Sequence, residues 1–91
     1  MLTLVAYDIA QPKRLVKVAK LLENWGERVQ YSVFECRLEE NSFDHLWAAL
    51  CDLIDDGEDR LVAYRLDARA ARRTLTAGTM VCSEKVICYL V

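Results

Sequence analysis

Glycine and proline are scarce, three and one in 91 residues, and no Gly-rich loop of the kind that cradles a phosphate or a dinucleotide is present. A regulatory module that binds a small metabolite, the reading an α+β fold alone would favour, therefore has nothing visible to hold its ligand. The single histidine, His45, and the four cysteines, Cys36, Cys51, Cys82 and Cys88, show no C-x-x-C or other ligand spacing. That argues against a zinc site or a disulfide set and for small buried hydrophobes in a reducing cytosol. No apolar run approaches a membrane span, and no basic segment precedes a hydrophobic stretch at the amino terminus. Neither a transmembrane helix nor a signal peptide is expected, and the reading is a cytoplasmic protein. An excess of one charge is missing too: 12 Lys and Arg against 14 Asp and Glu leave a net charge of -2, no global mark of nucleic-acid binding. Repeats, linkers and low-complexity stretches are absent. One domain over residues 1–91 is expected, with a modest core and little room for a deep private cavity, so a site shared at a subunit interface is a natural expectation.

What is present is unevenly placed. Lys13, Arg14, Lys17 and Lys20 form a basic cluster with no acid between Ile9 and Leu22, whereas the stretch from Glu39 to Asp59 holds eight acids and no Lys or Arg. One surface should be positive and another negative. The run Leu4-Val5-Ala6-Tyr7-Asp8-Ile9 reads as an apolar strand with its one charge near the far end, just before a helix. Asp8 is thereby placed at a sheet edge, where it suits a metal ligand or a general base. An aspartate that merely turns the chain toward the helix would look the same.

A helix is expected from Gln11-Pro12-Lys13, with proline in the first turn, where its missing N–H costs nothing. Leu15, Val18, Ala19 and Leu22 define its buried stripe, Lys13, Lys17 and Lys20 a second face, and Gly26 suits a left-handed helix end. Residues 27–38 read as extended with a break near Gln30 to Ser32, although no Asn-Gly or Gly-Gly marks the turn. Asn41-Ser42 should cap a second helix whose stripe is Phe43, Leu46, Trp47, Leu50, Leu53 and Ile54, ending at Asp55-Asp56-Gly57. His45 and Asp52 fall off that stripe and read as solvated. Arg60 to Leu66 reads as a strand, Asp67 to Arg73 as a helical turn or loop carrying Arg69, Arg72 and Arg73, and Lys85 to Val91 as a closing strand.

The order strand, helix, strand pair, helix, strand is the βαββαβ pattern of a ferredoxin-like α+β sandwich, with two helices on one face of an antiparallel sheet and an extra C-terminal strand. Leu2 to Tyr7, Leu61 to Tyr64 and Val86 to Val91 are apolar on both alternating faces, which a sheet with one wet face would not tolerate. The second face should meet a partner, most simply another copy about a twofold axis, the last strand pairing with an exposed edge of the neighbour.

Tyr7-Asp8-Ile9, then Lys13-Arg14, Lys17-Val18-Ala19, Leu22 and Gly26, then Arg28-Val29-Gln30-Tyr31-Ser32-Val33-Phe34-Glu35, resemble the smaller of the two core adaptation proteins of CRISPR-Cas systems, a family described as metal-dependent endoribonucleases. The resemblance is strong over about the first 40 residues and continues beyond them chiefly in element order and length. It implies a ferredoxin-like homodimer in which Asp8 faces its twin and one Mg²⁺ lies between the two copies. It implies that Lys17 and Arg28 hold phosphates of RNA or duplex DNA, and that Ser32 and Phe34 line the cleft near Asp8, although a phenylalanine in a strand is by default core; Lys13 and Arg14 of the basic cluster and Tyr7 beside Asp8 are counted with them as candidates. Two functions follow from it. One is Mg²⁺-dependent phosphodiester cleavage by Asp8 in spacer acquisition; the other is a scaffold that bridges the larger adaptation integrase and holds spacer-precursor duplex DNA. Ala10-Gln11 departs from the family's Ser/Asp-rich turn and removes polar groups that could have served a metal.

Overall fold

The apolar run at the amino terminus forms the strand β1 (Leu2–Asp8), and Pro12 opens the helix α1 (Pro12–Glu23) from the first-turn position it was expected to take. The structure is a computed structural model and describes residues 1–78. The chain continues through β2 (Gly26–Gln30), β3 (Val33–Arg37), α2 (Glu40–Leu53), β4 (Arg60–Leu66) and the short α3 (Ala68–Arg72). The strands form one sheet in the order β2-β3-β1-β4, and all three adjacent pairs are antiparallel. This is the ferredoxin-like arrangement. The expected closing strand over residues 85–91, with Cys82 and Cys88, lies outside the described residues.

Alternation along the strands decides which side chains enter the core. Val5 stands opposite Phe34 and Ala63, and Thr3 opposite Cys36 and Arg65, all on the helix side. There Val5, Tyr7, Phe34 and Cys36 pack with Val18 and Leu22 of α1 and Leu46 and Leu50 of α2. Each such side chain, fully buried, stabilises the fold by about 1.5–3 kcal/mol. The opposite face carries Leu2, Leu4 and Ala6 of β1, Val33 and Glu35 of β3, and Val62, Tyr64 and Leu66 of β4.

Several local expectations change. Gly26 does not end α1 in a left-handed turn; it starts β2, and a Cβ there would collide with the backbone of Glu35 and the sulfur of Cys36, so close strand approach is what requires glycine. α2 begins at Glu40 with Glu39 as an uncapped N-cap, not at Asn41-Ser42. The chain break falls at Tyr31-Ser32, between Gln30 and Val33, and a register shift between Arg28 and Gln30 forms a bulge. Cys51 is exposed, unlike the buried Cys36, whose thiol is pushed up to about 11 by burial and by the neighbouring Glu35 charge.

Candidate functional site

Asp8 is the last residue of β1 and is exposed. Its strand partner is Arg60 of β4, and by alternation it shares the sheet face of Leu4 and Ala6. Tyr7, one residue earlier, points to the helix side, so the two stand on opposite faces. Among the described residues no three His, Cys, Asp or Glu side chains gather into a metal cluster. Among the described residues Asp8 is the carboxylate of β1 at this edge, and the nearby Asp59 carboxylate is taken up by Arg14 and the Ala10 N–H. That donor set fits Mg²⁺, which commonly takes one or two carboxylates and keeps several waters, provided a second copy supplies the other acid.

The basic residues separate into different roles. Lys13 and Lys17 are exposed on α1, as is Lys20. Arg14 departs from the phosphate-clamp expectation because carboxylates already engage its guanidinium: Nε donates to Asp59 at 2.8 Å and Nη2 to Glu58 at 2.8 Å. Asp59 also accepts from the backbone N–H groups of Ala10 and Asp55, each at 2.9 Å. The Arg14 guanidinium and these two amides hold the Asp59 carboxyl down at about 2. Asp59 thus ties the turn after Asp8 to the connection between α2 and β4. Nothing in the sequence marked it, since it sat in a run of acids and its partners are 45 and 49 residues away. The expected separation of positive and negative surfaces is correspondingly reduced: Glu40 pairs with Arg65 at 2.6 Å, while Glu58 and Asp59 take Arg14.

Arg28 is half-buried on the helix side. Its guanidinium carbon lies 4.9 Å from the centre of the Phe34 ring, and Nη1 donates to the Tyr31 carbonyl and, at 3.5 Å, to Tyr7 Oη. Phe34 is 1% exposed and stacks with Tyr7 at 6.3 Å between ring centres, so it belongs to the core and is covered by Arg28. Phe34 thus takes the core position that is the default for a phenylalanine in a strand, on the helix side of the sheet and away from the face of Asp8. Ser32 lies in the β2–β3 turn, where its carbonyl accepts from the Tyr7 N–H at 3.1 Å and fixes the strand end that carries Asp8. A cleft of about 330 Å³ does open beside Tyr7, but on the helix side, lined by Tyr7, Leu15, Val16, Ala19, Arg28 and Tyr31. Glu35, on the open face opposite Leu4 and Glu27, has a buried Oε2 with no hydrogen-bond partner. Burial pushes its carboxyl up against the pull of Arg37, and Glu27 adds to the rise.

No helix among the described residues is long and apolar enough to cross a membrane. The family model for CRISPR associated protein Cas2 matches residues 1–74. A Chloroflexus aurantiacus protein named CRISPR-associated endoribonuclease Cas2 3 is 41% identical over 91 residues, covering 100% of this chain and 98% of the relative. A Halalkalibacterium halodurans protein named CRISPR-associated endonuclease Cas2 is 45% identical over 71 residues, 72% of this chain and 74% of its own. Among solved structures, a Thermus thermophilus protein matches with a TM-score of 0.79 at 38% identity, covering 90% of this chain and 96% of that one. Cas2 of Streptococcus pyogenes matches with a TM-score of 0.76 at 40% identity, covering 86% of this chain and 100% of that one. An aspartate ending the first strand of a ferredoxin-like sheet, and a family match that spans every described element, place this chain in the Cas2 family of CRISPR-associated proteins.

Proposed function

We propose that the chain is a homodimeric, Mg²⁺-dependent endonuclease of CRISPR adaptation, cutting RNA or DNA at a site shared by two copies. The observation that carries this is Asp8: an exposed carboxylate at the rim of an apolar sheet face that, among the described residues, belongs to no cluster of three metal-ligating side chains. Relatives named endoribonuclease and endonuclease support the reaction class. Leu4, Ala6, Val33 and Val62 share the open face, and pairing two such faces about a twofold axis would bury them and set the two Asp8 carboxylates at one shared rim. Bound there, Mg²⁺ supplies Lewis-acid stabilisation of the phosphoryl oxygens and a water acidic enough to act as nucleophile. Asp8 is the residue that would hold the cation. Lys13 and Lys17, exposed on the helix that follows Asp8, neutralise the substrate's backbone, while Arg14 serves the Asp59 tie instead.

The row of exposed lysines on α1 also favours a second reading, a scaffold that holds spacer-precursor duplex DNA and bridges the larger adaptation integrase without cutting. One experiment separates the two. Purified wild type and Asp8→Asn are compared for Mg²⁺-dependent cleavage of RNA and duplex DNA, and for dimer content by light scattering. Loss of cleavage with an intact dimer supports the nuclease; equal cleavage by the mutant exposes a contaminant and leaves the scaffold. In the same preparations, Lys13→Glu with Lys17→Glu should weaken duplex binding and flatten its salt dependence, by about one unit of slope per lost phosphate contact.

A further inference from the structure

We propose that the cleft between α1 and the β2–β3 turn is a subsite for one unpaired nucleobase of a single strand, apart from the Asp8 edge. The proposal rests on the nucleic-acid reading above and adds a second, differently built contact to it. Its floor is aliphatic, from Leu15, Val16 and Ala19, and its walls are two phenol rings, Tyr7 and Tyr31, with the Arg28 guanidinium. The volume, about 330 Å³, lies at the lower end of the range in which small planar ligands are held.

Two of these side chains are apolar or aromatic yet largely uncovered. Tyr31 is 88% exposed and Val16 is 52% exposed, and both border the same cleft. The Tyr31 turn is nevertheless fixed, because Arg28 donates to the Tyr31 carbonyl and the bulge between Arg28 and Gln30 sets the direction of the strand end. An exposed aromatic ring on a held turn, beside a guanidinium plane, is the arrangement on which splayed bases stack. Arg28 itself rests on the Phe34 ring and is held by Tyr7 Oη, so its plane is oriented before any ligand arrives.

Charge chooses the occupant. Lys13 and Lys20 lie at i−3 and i+4 from Val16, on the same helix face, and both are exposed. They bracket the cleft with positive charge, as the phosphates on either side of an inserted base require. An aliphatic side chain from a protein partner would use the floor but not the guanidinium or the lysines. A paired base cannot enter, since its faces are already stacked in the duplex, so the subsite selects unpaired nucleotides.

The test compares fluorescence anisotropy of a labelled single strand and of a duplex of equal length, at one fixed salt concentration, on wild type, Tyr31→Ala and Tyr31→Phe. Tyr31→Ala should bind the single strand about tenfold more weakly. Its affinity for the duplex should stay unchanged, and Tyr31→Phe should keep wild-type affinity for both. Val16→Glu, which puts an acid on the floor, should reproduce the single-strand loss. Titration of a nucleoside monophosphate should shift the ring resonances of Tyr31 in wild type. An unchanged single-strand affinity in Tyr31→Ala, or an equal loss on both ligands, overturns the subsite while duplex binding and Mg²⁺-dependent cleavage by wild type keep the function. If wild type binds neither ligand, the function fails and the subsite with it.

Discussion

On the helix side of the sheet, Val5, Tyr7, Phe34 and Cys36 are covered by α1 and α2 and none is more than 7% exposed. On the other side Leu4, Ala6, Val33 and Val62 are just as apolar, yet stay only half-buried, and Tyr64 is 57% exposed. Apolar composition does not separate the two faces. They differ in the polar groups each admits. The helix side holds the thiol of Cys36 and the hydroxyl of Thr3 within a closed core and keeps its charged groups, Arg28 and Arg65, at its half-buried or exposed margin. The open side, one residue along each strand, holds the ionisable Glu35 and, at its rim, Asp8. Burial of the Glu35 carboxyl on this face therefore carries a cost that Arg37 only partly offsets.

Truncating both faces breaks that comparison most directly. Leu50→Ala, under the helices, should cost about 2–5 kcal/mol in urea unfolding. Leu4→Ala should cost much less in the monomer and show mainly as a raised dimer dissociation constant; equal monomer losses would erase the distinction. Next in size is Asp59→Asn, which removes the tie between the Asp8 turn and β4. The Asp59 carboxyl lies at about 2 in the folded chain, below its ordinary 3.8, so its contribution is full above that ordinary value and vanishes as pH falls through about 2. The variant should melt lower than wild type at neutral pH, with the gap closing in strong acid. Glu35→Gln gives the smallest effect, of opposite sign. Because the Glu35 carboxyl is raised, its protonated form is favoured by the fold, and stability declines as pH rises through and above the ordinary glutamate range. Glutamine should remove that decline and leave the protein at least as stable at neutral pH. A steeper decline in the variant would mean that Glu35 is paired.

The sequence disclosed the architecture because its signals were local. Pro12 at the helix start, the β4 span from Arg60 to Leu66 and the stripe through Leu46 and Leu50 each follow from periodicity or a fixed dihedral preference. The start of α2 was misread because Asn41-Ser42 looks like a cap, while the helix in fact begins after Glu39 with no side-chain cap at all. Asp8 was legible as a strand-end acid, but the family resemblance, not its spacing, singled it out. The site's supporting contacts were not legible. Arg14 sits in the same basic cluster as its lysine neighbours, and only the folded chain, by bringing Glu58 and Asp59 to it, removes it from their company. The burial of Phe34 beneath Arg28 likewise depends on strand pairing, which a string of letters does not specify.

The bond from the Ala10 N–H to Asp59 Oδ1 links positions 49 residues apart. Its amide proton can exchange with solvent only when the far connection lets go, so protection at Ala10 reports the opening of residues 55–59 as well as its own. A protease nick in that distant loop would therefore loosen the turn beside Asp8 without touching it, and deuterium uptake at the two segments should rise together as one cooperative unit.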